Sequence, residues 1–270
     1  MSLKETCVKY FTNLNHHFWS RGVIRLYDKF FLKAENSPAH SAFCERVYGK
    51  DLCQHGMMDM EQLEKLLEVL KLNKDNHVLE LGCGSGLITR YISDLTGAAI
   101  IGVDYSKTAV KLAQQRAHSS KNRLSFMKDN IQKLSFPPGN FDTIIAIDVL
   151  HLVNPLADVI RQLKSLLKTG GQMGIFFTQR IFGTDSIDLL LPEKTHLAQA
   201  LNKNSLDFKT WNFSDEEANH WQKKVKVLEE LKPEFEAEKS HFLYKFRYSE
   251  AKAHTQNPDK RARYLYHVQT

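Results

Sequence analysis

Between about His77 and Thr178 the hydrophobic pattern changes period repeatedly. Short apolar runs at 77–81, 99–103, 124–128, 141–147 and 172–178 have the length and β-branched content of buried strands. Between them apolar residues recur every three or four positions. Leu87, Ile88, Tyr91 and Ile92 share one side of a helix over about Ser85 to Leu95. Val110, Ala113 and Ala117 do so over about Lys107 to His118, and Val159, Ile160, Leu163 and Leu167 over about Leu156 to Lys168. Ser106 precedes the second helix as an N-cap, Pro137-Pro138-Gly139-Asn140 reads as a turn, and Gly170-Gly171 as the end of the third helix. Strands alternating with helices predict an α/β fold with a Rossmann-like, doubly wound parallel sheet.

The flanks are helical in pattern. Val8, Phe11, Leu14 and Phe18, then Ile24, Tyr27 and Phe31, are spaced as on two amphipathic helices. These either pack on the core or lie over the site as a lid. Ala34 to Ala42, with Asn, Ser and Pro, reads as a loop. Residues 48–56 show no period, and Met60, Leu63, Leu67 and Leu70 mark a helix. Beyond the fifth strand, 178–209 holds helical material, including Thr195 to Asn202, and Asp207 to Phe213 reads as a strand. Ser214-Asp215-Glu216-Glu217 is a capping box opening a long helix, in which Pro233 can introduce a kink. Arg263 to Gln269 alternates as a strand would. The expected division is 1–58 as a helical lid and covering loop and 59–270 as the core, with a helical insertion at about 179–206.

Composition adds limits. With 270 residues, 42% hydrophobic and 25% charged, the chain suits a globular domain with a cap. The net charge of +6 comes from scattered Lys and Arg without a dense basic run, so a nucleic-acid partner is not expected. Cysteines 7, 44, 53 and 83 have neither metal-ligand nor disulfide spacing, and no metal is expected. No signal-peptide pattern and no apolar run near 18 residues is present, which makes the cytoplasm the expected compartment and a membrane span unexpected.

The chemistry concentrates at the first strand. Val78-Leu79-Glu80-Leu81 runs into Gly82-Cys83-Gly84-Ser85-Gly86 and then into a helix. A dinucleotide fingerprint needs G-x-G-x-x-G. Here the third glycine comes one residue early and Leu87 stands in its place. Glu80, just before the turn, repels a pyrophosphate and suits an ammonium or sulfonium. Asp104 ends the second strand, where an acid accepts ribose hydroxyls. The combination points to adenosine without a diphosphate.

Four stretches in order resemble the class I S-adenosylmethionine-dependent methyltransferases. Val78–Gly86 resembles the first motif and Val103-Asp104-Tyr105-Ser106 the ribose-binding strand end. Lys128-Asp129-Asn130-Ile131 resembles the adenine-binding turn, and Phe141–Asp148, which includes Ile147, the fourth strand. The resemblance implies S-adenosyl-L-methionine as cofactor and, at the end of the sheet, an antiparallel pair that 207–213 and 263–269 can supply. It implies backbone contacts to the methionine portion from Gly82, Cys83, Gly84 and Gly86, with Glu80 supporting the turn or meeting the ammonium. Asp104 and Ser106 would serve the ribose, Tyr105, Asp129, Asn130 and Ile131 the adenine, and Ile147 would line the same site. Tyr48-Gly49 and His55-Gly56 resemble the stretch that covers the cofactor in small-molecule members, which makes Tyr48 a cofactor contact. His55 is then either a substrate contact or a loop histidine bonded to backbone.

On the acceptor side, Leu150-His151-Leu152 resembles a loop of phosphoethanolamine methyltransferases in which a histidine works with a tyrosine, although no matching N-terminal tyrosine is evident. His151 is either the catalytic residue or a packed helix-start histidine, and Asp148 a substrate or cofactor contact. The expected activity is methyl transfer to a small molecule, amine or amino-acid nitrogen before oxygen or carbon. The rivals are an RNA or protein methyltransferase, which a dense basic face would favour, and a non-catalytic cofactor-binding protein.

Overall fold

The computed structural model describes residues 21–117 and 122–270. The expected helix through Val8, Phe11, Leu14 and Phe18 lies outside them. The described residues fall into two compact units, those within 61–213 with 260–270, and 21–60 with 214–259.

The unit of 61–213 and 260–270 is built on a seven-stranded sheet. In chain order its elements are α3 (Met60–Leu70), β1 (His77–Leu81), α4 (Leu87–Thr96), β2 (Ala99–Asp104), α5 (Lys107–Arg116), β3 (Leu124–Lys128), β4 (Phe141–Ile147), α6 (Leu156–Leu166), β5 (Leu167–Arg180), α7 (His196–Lys203), β6 (Asp207–Asn212) and β7 (Arg261–Gln269). The strands lie in the order β3-β2-β1-β4-β5-β7-β6. Strands β1 to β5 pair in parallel, and β7 runs antiparallel to both β5 and β6. The expected sheet, mostly parallel with an antiparallel C-terminal element, is the one found. The parallel strands read as unbroken apolar runs because both faces are covered. On one face Ile144, Ala146, Ile175 and Tyr266 pack with Val159, Ile160 and Leu163 of α6 and Leu197 and Leu201 of α7.

One local expectation changes. Gly170-Gly171 does not end a helix. Helix α6 stops at Leu166 and β5 begins at once. The pairing with β4 then jumps from Phe141↔Leu167 to Thr143↔Gln172, so the diglycine sits in a bulge of β5. Thr195 caps α7 with its hydroxyl, which accepts from Ala198 N at 3.1 Å.

The other unit holds α1 (Arg21–Ala34), α2 (Pro38–Tyr48), α8 (Ser214–Glu230), α9 (Lys232–Ala237) and α10 (His241–His254). The expected loop over 34–42 shrinks to three residues, since Ser37 caps α2, accepting from His40 N at 3.1 Å, and Pro38 occupies its first turn. Pro233 does not kink one long helix; it starts a new one, α9, in a position where its missing N–H costs nothing. Arg247 of α10 is fully buried and pairs with Glu250 at 3.4 Å. It donates to His40 Nε2 at 3.2 Å, to His55 O at 3.2 Å and to Gln54 O. Burial, with the Arg247 charge, holds His40 well below its ordinary pKa, so its imidazole is the acceptor.

Candidate functional site

The glycine turn after β1 takes a shape that L residues resist. Gly82, Gly84 and Gly86 have φ of +69°, +54° and +77°. A Cβ on Gly82 would lie 2.8 Å from Val149 Cγ2, and one on Gly86 would lie 2.8 Å from both Ala113 Cβ and Phe126 Cζ. Space and φ therefore both require glycine at these two positions. The turn is tied to β2, since Gly82 N and Cys83 N both donate to Val103 O, at 2.8 and 3.1 Å. It stands where the strand order reverses between β1 and β4, the crevice in which open α/β sheets bind ligands. Cys83 is buried, and burial raises its thiol pKa well above the ordinary value, so it is a packing thiol in the turn.

The turn meets the acid chosen from the sequence. Asp104 Oδ2 accepts from Gly84 N at 2.9 Å, and Oδ1 accepts from Ser106 N at 2.8 Å. One carboxylate thus fixes both the turn after β1 and the start of α5. Ser106 itself caps α5, accepting from Ala109 N at 3.0 Å. Tyr105 is half-buried, with Lys128 Nζ 5.1 Å from its ring centroid.

Glu80 is buried behind the turn, and among the described residues its Oε2 has no hydrogen-bond partner. Burial pushes its pKa up to about 7; the Thr89 hydroxyl acts the other way and the Asp104 charge adds to the rise. A lone carboxylate in this position is stabilised by gaining a cation.

At the tip of β3 the carboxylate of Asp129 faces its own loop. Its oxygens accept from Asn130 N at 2.8 Å and Ser135 N at 3.1 Å, while Asp129 N donates to Asp104 O at 3.1 Å. Asn130 Oδ1 accepts from Gln132 N at 3.0 Å, and buried Ile131 offers its carbonyl to Gln162 Nε2 at 2.9 Å. The Asp129 side chain is thereby a holder of the loop.

Half-buried Ile147 ends β4, and Asp148 follows in a left-handed conformation, φ +52°. Its carboxylate is gripped by Arg263 of β7, Nη2 to Oδ2 at 3.1 Å and Nη1 to Oδ1. Arg263 is fully buried, donates also to Gln62 Oε1 at 2.9 Å and Thr178 Oγ1 at 3.0 Å, and lies 4.9 Å from the Phe176 ring centroid. His151 lies in a short 3-10 turn, Leu150–Leu152. Burial among surrounding atoms, then the charges of Arg180 and Arg263, lower its pKa to about 4, against Asp148. The residue nevertheless has an exposed surface. Solvent weakens each of these influences, so the direction, a neutral imidazole at pH 7, is what counts.

The structure thus brings Glu80, the Gly82–Gly86 turn, Asp104, Asp129, Asp148 and His151 to the carboxyl ends of β1 to β4. Tyr48 and His55 belong to the other unit. Tyr48 is buried and donates to Gly56 O at 3.0 Å, as does Lys224 Nζ at 3.1 Å. The His55 ring packs on Phe30 and Tyr27, centroids 5.0 and 4.7 Å away. Sequence reasoning missed Arg263 and its supports Gln62 and Thr178, because strand pairing brings Thr178 to Arg263 and helix packing brings Gln62, and residue spacing displays neither.

A family model described as a methyltransferase domain matches residues 78–171. The chain is 32% identical over 129 residues to a protein named ubiquinone biosynthesis O-methyltransferase from Xanthomonas campestris pv. campestris, covering 44% of this chain and 53% of that one. The chain therefore spans about half the length of the curated relatives it matches. Among solved structures it is similar to Haemonchus contortus phosphoethanolamine N-methyltransferase 2 in complex with phosphomonomethylethanolamine and S-adenosylhomocysteine, at TM-score 0.70 and 18% identity over 90% of this chain and 59% of that one. It is similar also to the [4+2]-cyclase SpnF, at TM-score 0.69 and 16% identity over 93% and 96%. At these identities the likeness is one of fold.

Proposed function

We propose that this chain, whose residues 78–171 are a methyltransferase domain on the sheet of the class I S-adenosylmethionine-dependent methyltransferases, transfers a methyl group from S-adenosyl-L-methionine to a small molecule. The observation that carries the reading is the Asp104–Gly84 bond. It joins the acid suited to a ribose to the turn suited to the methionine portion, and both stand at the switch point of the sheet.

The residues present fit the cofactor. Glu80 lacks a partner at Oε2 and gains one from an ammonium, and the turn offers backbone groups where a side chain does not fit. When bound, S-adenosylmethionine supplies a methyl group on a sulfonium, electrophilic enough to need neither metal nor enzyme nucleophile. The glycine turn holds the methionine portion and Asp104 accepts from the ribose. Asn130 and Ile131 offer backbone to the adenine edge, with Tyr105 against its face. Ile147 and Cys83 line the same site.

On the acceptor side the chain has to align the nucleophile and exclude water. Asp148, held by Arg263, is an acceptor contact rather than a base. His151 accepts the proton that the acceptor gives up, being neutral at pH 7. The acceptor atom we favour is the nitrogen of an amine or amino acid; the oxygen named in the curated relatives is the second choice.

Calorimetry with S-adenosylhomocysteine, S-adenosylmethionine and NAD tests the reading. Binding of both adenosyl sulfur compounds and none of NAD is expected. Binding of NAD alone would overturn it.

A further inference from the structure

Two buried polar atoms meet behind the glycine turn. Leu79 and Leu81 belong to the core shared with α6, so Glu80, between them on β1, projects to the opposite face of the sheet. Helix α4 turns Thr89, Ile92 and Ser93 inward. Thr89 is fully buried, and its hydroxyl is close enough to Glu80 to act on the ionisation of the carboxyl. Yet among the described residues neither Thr89 Oγ1 nor Glu80 Oε2 has a partner in hydrogen-bond geometry.

Ser93 and Thr96 of the same helix are bonded. Ser93 Oγ donates to Ala98 O at 2.8 Å, and Thr96 Oγ1 donates to Ile92 O, four residues back, at 2.8 Å. The equivalent carbonyl for Thr89 is Ser85 O, which accepts instead from Arg116 Nη1 at 2.6 Å. A buried hydroxyl left unbonded costs stability, and valine, of nearly the same shape, avoids that cost. The threonine therefore has a use only when its hydroxyl gains an acceptor, and the acceptor beside it is Glu80. A hydrogen bond to an ionised carboxylate is about twice as strong as one to a neutral group. The strand neighbours of Glu80, Gly102 and Ile145, carry no charge, and neither does the inward side of α4. The titratable groups around it are Asp104, which opposes its ionisation, and the Cys83 thiol of the turn. Thr89 acts in the other direction.

We propose that Thr89 is the positioning residue of Glu80: its hydroxyl donates to the carboxylate once a ligand ammonium has ionised it, and holds it toward that ammonium. The identity of the ammonium, that of the cofactor's methionine portion, rests on the methyl-transfer reading; the pairing of Thr89 with Glu80 does not. The proton that Glu80 gives up on binding goes to solvent.

The test is calorimetry of the full chain with S-adenosylhomocysteine at pH 6, 7 and 9, on wild type, Thr89→Val and Thr89→Ser. Without the hydroxyl the free carboxyl holds its proton more tightly, and binding has to remove it. Thr89→Val should therefore bind about tenfold more weakly at pH 6, the equivalent of one net hydrogen bond. At pH 9, where the carboxyl is ionised with or without ligand, it should match the wild type, which also shows that it is folded. Thr89→Ser should restore the wild-type profile, and in a Glu80→Gln background Thr89→Val should have no pH-dependent effect. A deficit of the same size at every pH, or none at all, would overturn the proposal. Thr89→Ala carries the same expectations if valine is not accommodated. Urea unfolding without ligand gives a second measure. The fall in stability as pH rises through about 7 should move about one pH unit higher in Thr89→Val, and an unmoved profile in both Thr89→Val and Thr89→Ala would also overturn it. Absence of S-adenosylhomocysteine binding in the wild type would instead sink the methyl-transfer reading, and the unfolding profiles would still decide the role of Thr89.

Discussion

Arg263 of β7 grips Asp148 at the end of β4 with both arms of its guanidinium, across the one intervening strand β5, and in doing so buries a cation completely. Such a pair is costly to break because the remaining charge is left in the protein interior. Arg263→Ala should lower stability by about 3–5 kcal/mol. Arg263→Lys should recover only part of this, since one ammonium cannot serve Asp148, Gln62 and Thr178 in the directions the fork does. Urea unfolding with an unchanged slope checks both values. A loss below about 1 kcal/mol for Arg263→Ala would mean that the pair behaves as an exposed one.

Asp104 holds two backbone N–H groups at the switch point of the sheet. Asp104→Ala should weaken S-adenosylhomocysteine binding by about 1.5–3 kcal/mol, the range for hydrogen bonds to a charged group. Calorimetry on the folded variant measures it, and an unchanged affinity would remove the ribose assignment.

Glu80 has a folded-state pKa of about 7 against an ordinary 4.5. Between those values the folded chain keeps a proton that the unfolded chain has released. Stability from this group is therefore full below pH 4.5 and lost as pH rises through 7. Glu80→Gln should flatten that part of the stability profile, by up to about 3 kcal/mol. A ligand ammonium reverses the balance and ionises the carboxyl. Binding of S-adenosylhomocysteine at pH 6.5 should then release protons in the wild type and not in Glu80→Gln, which calorimetry in buffers of different ionisation enthalpy detects. Equal proton release in both would place the ammonium elsewhere.

His151 is held below its ordinary pKa, so it is neutral at pH 7 and its protonation falls on the acid side of 6.5. The acid limb of kcat should lie below pH 6.5 and vanish in His151→Gln. The same variant should lose about 10²- to 10⁴-fold in kcat, the usual worth of a positioned base, with S-adenosylhomocysteine affinity nearly intact. Matching losses in rate and affinity would make it a packing residue.

The parallel sheet was legible because buried strands are continuous apolar runs and each is followed by a helix with one apolar side. The meeting of the glycine turn with Asp104 was legible for the same reason, since a strand-helix-strand unit returns both to one end. Ser37-Pro38 misled, because cap and first-turn residues share their composition with loops. Helix α10 was not recognised. Its buried side includes Arg247, Glu250 and His254 alongside Leu243 and Phe246, and charges inside erase the apolar period. Arg263 acquires its meaning only from the ladder register, which sets it opposite Thr178.

The place of β7 in the sheet also sets an order of assembly. It lies between β5 and β6, both of which precede it in the chain. As the chain emerges from the ribosome, β6 has no strand to join until β7 has been made, and β5 keeps an open edge over the same interval. Pairings this distant in sequence are slow to form, and an open edge is a hazard while it lasts. Arg263 arrives with the strand that closes the gap. Completing the sheet and fixing Asp148 at the tip of β4 are thus a single late event, and a chain stalled before it has neither.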